Sequence, residues 1–141
     1  MNTELAAAAI IAALGLVQVL LPAIEYRRVH GIAYANTARD APPAEPDSQL
    51  LGRLSRAQSN LMETAPYFIA LALIITVAGS SSTMTRVAAI VFVAARLIYL
   101  PLYAFGTPYV RGLVWMISYG ALIALAAGAL VAINWAYVLQ I

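Results

Sequence analysis

Three residues close together in the chain, Arg56, Asn60 and Glu63, are spaced for chemistry rather than for contact with lipid. They lie in Arg56-Ala57-Gln58-Ser59-Asn60-Leu61-Met62-Glu63, a step of four followed by a step of three. At about 100° per helical residue, those steps keep the three side chains within about 60° of one another over roughly 10 Å of axis. Arg96, Tyr99 and Tyr103 repeat the pattern with steps of three and four, and Arg111 follows eight residues later. Cations, an amide, phenols and one carboxylate, gathered at one level, suit a small zwitterionic or anionic ligand. The plainer reading is that Glu63 and Arg96 form a buried ion pair that fixes helix register.

The elements that carry these residues are apolar. The chain of 141 residues is 63% hydrophobic and only 10% charged, with a mean hydropathy of +0.85. A water-soluble domain carries about 25% charged residues, so this surface calls for lipid. The run Leu5–Ile24 is 20 residues long, broken by Gln18 and by Pro22 near its end, and is long enough to cross a bilayer. It lacks a basic leader and is too long for a signal sequence, so a retained helix is expected. Four helices are predicted in a single domain over 1–141, at about 4–26, 49–78, 84–105 and 110–138. The Pro- and acid-rich stretch Asp40–Ser48 forms the one sizeable loop. Trp115, Trp135 and Tyr137 read as interfacial anchors, and Gly120, Ala124 and Gly128 as a stripe for close packing. Met62 and Met84 read as packing or lipid positions.

All eight cations are arginine, and five of them (Arg27, Arg28, Arg39, Arg53, Arg56) lie between 27 and 56. They follow helix ends rather than forming a basic face, so no nucleic acid is expected as a partner. With no cysteines, disulfides and thiolate metal sites are excluded, and no metal is expected. Loops one and three hold most of the arginines and loop two only Arg86, which places loops one and three in the cytoplasm. On that orientation Glu63 is about ten residues and Arg96 about nine residues in from the cytoplasmic edge, both roughly 15 Å deep. An isolated charge there costs several kcal/mol, so the two are expected to pair. His30, after a helix end, is read as a surface residue.

At these residues the chain resembles a known family. Arg56-Ala57-Gln58-Ser59-Asn60-x-x-Glu63-x-x-Pro66-x-Phe68, then Ala95-Arg96-Leu97-x-Tyr99-x-x-x-Tyr103, is similar to MAPEG, the membrane-associated proteins in eicosanoid and glutathione metabolism, which include microsomal glutathione transferases. The resemblance covers essentially the whole chain, including Arg27 and Arg28. Its brevity and lack of a basic C-terminal tail suggest a prokaryotic-type member in a bacterial inner membrane.

That resemblance implies an all-α integral membrane fold, a four-transmembrane-helix bundle assembled as a homotrimer in the lipid bilayer. It implies glutathione as co-substrate, bound between subunits near the cytoplasmic face, and a lipophilic electrophile as second substrate. Carried over to this chain, Arg28, Arg56, Asn60, Glu63, Arg96, Tyr99 and Tyr103 would bind glutathione, and Arg111 would stabilise its thiolate. The activity implied is that of a glutathione-dependent transferase or peroxidase. Two other readings stay open: a family member that keeps the scaffold without catalysis, and a small multidrug-type transporter. The second usually carries its acid within helix one, and this chain has none between Leu5 and Ile24. Arg111 also reads as a cation snorkelling at a helix end, and the tyrosines as an interfacial belt.

Overall fold

A computed structural model describes residues 2–133 and contains four helices among them: α1 (Thr3–Ala35), α2 (Gln49–Val77), α3 (Thr83–Phe105) and α4 (Val110–Ala132). Each is long and apolar enough to span a membrane, so the chain is an integral multi-pass membrane protein. α1 packs chiefly on α2 and α3 chiefly on α4. α2 and α3 form the central diagonal, while α1 and α4 occupy opposite corners. The core follows the residues with the flattest and most branched side chains: Phe68 and Phe92 stack with centroids 4.2 Å apart and planes 8° from parallel. Ile11, Leu61, Ile75 and Leu125 pack around that stack, all almost fully buried.

α1 runs well past its expected end near residue 26. Glu25 and Arg28 look like a helix leaving the membrane, but at i and i+3 they form a bidentate pair, both contacts 2.6 Å, which supports another turn. Tyr26, His30 and Tyr34, four residues apart, then pack in tilted ring contacts on one face. The helix kinks at Gly31, whose φ of 79° is open to glycine and strained for other residues. The second expectation to fail here is that of a surface His30. Its side chain is fully buried, and Nε2 lies 2.8 Å from Asp47 Oδ1. The proline-rich loop is thereby folded back on α1, also by Tyr34 Oη donating to the Ala41 carbonyl. At its far end Ser48 caps α2 by accepting from Leu51 N and donates to Glu25 Oε1 at 2.7 Å.

The opposite end of the bundle is tied by a residue for which the sequence offered no role. Glu4, fully buried, accepts from Thr85 Oγ1 (2.6 Å) and Ser81 Oγ (2.8 Å), joining the first turn of α1 to the α2–α3 turn. Ser82 and Thr85 form a reciprocal capping box that starts α3 there. Of the expected small-residue stripe, Gly128 alone of the two glycines is closely approached: a Cβ built on it would lie 2.5 Å from Thr85 Cγ2, whereas one on Gly120 meets nothing within 4 Å. Trp115 stacks on Tyr119. Trp135, Tyr137 and the expected last turns of the fourth helix lie outside the described residues.

Gly128→Leu should therefore lower the thermal midpoint in detergent, by about 1–3 kcal/mol of stability from overpacking against Thr85. Gly120→Leu, where a Cβ meets nothing within 4 Å, should not lower it.

Candidate functional site

α2 and α3 are antiparallel neighbours, and their polar stripes meet where Asn60 faces Arg96. Arg96 is 1% exposed, and its Nη1 donates to Asn60 Oδ1 at 2.7 Å. Its guanidinium lies 5.2 Å from the Phe92 ring centroid and 5.6 Å from that of Tyr99. Nε and Nη2 are buried without a hydrogen-bond partner, so the aromatic faces supply the rest of its solvation.

The expected pairing of Glu63 with Arg96 is not what the helices form. Among the described residues the ion pair is Arg28–Glu25, His30 contacts Asp47, and Glu63 is exposed on the outer face of α2. Asn60 and Glu63 are about 60° apart around α2, and the packing turns Asn60 rather than Glu63 toward α3. Glu63 instead opens onto a groove of about 570 Å³ between α2 and α4, lined also by Thr64, Tyr67 and Tyr119.

From Arg96 a continuous column runs along α3 toward the loop-three end. Tyr99 is buried and meets Tyr103 edge-on at 5.3 Å. The Arg111 guanidinium lies over the Tyr103 ring at 4.4 Å. The turn between α3 and α4 makes this return possible. Gly106 adopts the left-handed conformation (φ 71°), Thr107 Oγ1 donates to the Leu102 carbonyl, and Tyr109 takes a φ of 45° before α4 starts. Arg53 reaches across from α2 and donates to the Ala104 carbonyl, closing the last turn of α3. Its guanidinium packs so closely on Gly106 that a Cβ there would lie 2.6 Å from its Cζ.

Arg56 is exposed and makes no hydrogen bond or ion pair among the described residues. It borders a polar recess of about 490 Å³ with Asp47, Ser48, Gln49, Gly52 and Arg53. Arg28 lies on the same side of the molecule, but within the protomer it is occupied by Glu25. The structure thus brings Asn60, Arg96, Tyr99, Tyr103 and Arg111 into one column. Arg56 and Glu63 stand on the outer surface beside it, and Arg28 stands apart. Reading the sequence missed Arg53, Glu25 and Ser48 as supports. For Glu25 the i,i+3 spacing to Arg28 was the available signal.

This geometry can bind a ligand of mixed charge. Arg56 and Arg111 offer cations, Glu63 an anion, and Asn60 and the tyrosines neutral hydrogen-bonding groups. The family model described as the MAPEG family matches residues 5–131, nearly the whole chain. No curated protein matches it.

Gly106→Ala should cost about 1–2 kcal/mol for the left-handed backbone and displace Arg53 from the Ala104 carbonyl. Thermal unfolding of the variant in detergent measures it, with Gly112→Ala, a helical position where a Cβ meets nothing within 4 Å, as the control that should lose no stability.

Proposed function

The chain belongs to the MAPEG family, and from that premise we propose that it is a glutathione-dependent membrane transferase or peroxidase acting on lipophilic electrophiles. The observation that carries the reading is the exposed pair Arg56 and Glu63 on a membrane-spanning helix, neither engaged in an ion pair or hydrogen bond among the described residues. Lipid does not accept such groups, so they need a neighbouring protomer and a polar ligand. A homotrimer would bring the neighbouring protomer against α2, with loops one and three cytoplasmic in a bacterial inner membrane.

Glutathione complements these groups. It carries two carboxylates, one ammonium, two peptide units and a thiol. Arg56 would take a carboxylate in a charge-assisted contact, Glu63 the ammonium, and Asn60 a peptide or carboxylate oxygen. Arg28 would reach the second carboxylate only by releasing Glu25. Tyr99 and Tyr103 would form the wall against which the thiol end lies.

Arg111 would then act on sulfur. A free thiol has a pKa of about 8.5, and a cation beside it raises the thiolate fraction near neutral pH. The thiol proton leaves to water, the sulfur lone pair attacks an electrophilic carbon arriving from the bilayer, and that carbon's leaving group departs with its bonding pair. The cation–π contact with Tyr103 supports this reading, since it would hold Arg111 beside the tyrosine wall.

The proposal separates binding from activation. Arg111→Ala should leave glutathione affinity within about threefold while conjugation of a generic aromatic electrophile falls by about tenfold to a hundredfold. The ultraviolet absorbance of bound thiolate should fall in parallel. Arg56→Ala should weaken binding first. Equal loss of affinity in both variants would make Arg111 a clamp, and binding without turnover of any electrophile would leave the scaffold reading in its place.

A further inference from the structure

Resting on that reading, we propose that Arg96 is a positioning residue: it locks the Asn60 carboxamide in one orientation, so that this residue presents only N–H donors to the ligand. The ligand atom it meets is therefore an acceptor, a carboxylate or peptide carbonyl oxygen, and never an ammonium or hydroxyl donor.

The orientation follows from chemistry. A guanidinium has donors and no acceptor. The Asn60 atom 2.7 Å from Arg96 Nη1 is therefore its oxygen, Oδ1. Flipping the amide would set two donors against each other and strip the only hydrogen bond from a guanidinium that is 1% exposed. Arg96 itself is immobilised, held between the rings of Phe92 and Tyr99. Its two unpartnered N–H groups, Nε and Nη2, raise the penalty for giving up the one hydrogen bond it makes. Nδ2 of Asn60 makes no hydrogen bond among the described residues, and the residue is only half-buried, so its donors face outward.

This accounts for a buried arginine that touches no ligand space directly. An unconstrained asparagine on a helix face flips freely and accepts or donates alike, which gives no discrimination. One held by a buried cation discriminates, because a donor-bearing ligand group finds no acceptor there. The ammonium end of a zwitterion is then directed elsewhere on the stripe, toward Glu63.

The test uses the full chain in detergent, with calorimetric titration of glutathione and the thermal midpoint as paired readouts. Arg96→Met removes the donor, Arg96→Lys keeps one, and Asn60→Asp keeps the oxygen that faces Arg96 while replacing the outward donor with a second oxygen. We expect Arg96→Met to bind about tenfold more weakly and Arg96→Lys to restore affinity to within about threefold. Asn60→Asp should also lose at least about tenfold, with a midpoint at or above that of the unmutated protein because its carboxylate neutralises Arg96. Wild-type affinity in a folded Arg96→Met, or in Asn60→Asp, would overturn the proposal. Arg96→Lys and Asn60→Asp decide the matter if Arg96→Met does not fold. If the unmutated protein takes up no glutathione, the proposed function falls by itself and stability decides the orientation. Asn60→Asp at or above wild type, with Asn60→Leu below it, supports the lock, whereas Asn60→Asp less stable than Asn60→Leu overturns it.

Discussion

A guanidinium buried inside a membrane bundle must be solvated by the protein, and that requirement governs the arrangement of α2 and α3. Arg96 has one hydrogen bond, to Asn60, and two aromatic neighbours. Losing any of them would leave a charge in a medium where isolated charges cost several kcal/mol. The register of the two central helices is therefore coupled to a polar contact, and the Phe68–Phe92 stack is the apolar contact that goes with it. Buried ionic groups seldom add much net stability but can select one packing among several. Here the selected packing places Asn60 inward, leaves Glu63 outward and sets Tyr99 and Tyr103 in line with Arg111.

The two ends of the bundle divide the remaining polar work. At the end where α1 begins, Glu4 gathers Ser81 and Thr85 and fixes where α1 meets the α2–α3 turn. At the other end the contacts position cations. Arg53 holds the end of α3, Glu25 holds Arg28, and His30 with Asp47 folds the loop against α1. Among the described residues Arg27, Arg56 and Arg111 at that end make no hydrogen bond or ion pair, and of these Arg56 borders the polar recess at the start of α2. The proposed ligand chemistry sits at the end where charge is arranged and then left open.

Much of this was legible in the sequence, for identifiable physical reasons. Apolar runs of membrane-spanning length announce helices, because lipid satisfies no backbone group. The i, i+3 and i+4 spacings announce shared faces, and depth arguments correctly singled out Arg96 as a residue needing a partner. Which partner was beyond those arguments. Asn60 and Glu63 sit only about 60° apart on an ideal helix, so the choice between them is made by the rotation of α2 against α3. Charge attraction favoured Glu63, yet packing gave Arg96 a neutral amide and two rings. The end of α1 was misread for a related reason: charged side chains mark the membrane edge, but helices continue into water when i,i+3 pairs and aromatic contacts support them. Glu4 left no signal at all, since an acid in a first helical turn is also favoured by the helix dipole alone.

The account stands on α2's outward polar groups serving a ligand of mixed charge rather than only a neighbouring helix. Titration of the unmutated, detergent-purified protein with glutathione tests this most directly. The account predicts saturable binding with half-saturation below about 1 mM, in the range of ordinary substrate affinities. Binding should weaken as salt is raised, because Arg56 and Glu63 are exposed charges. No saturable heat up to several times that concentration, in protein whose thermal unfolding is cooperative, would contradict it.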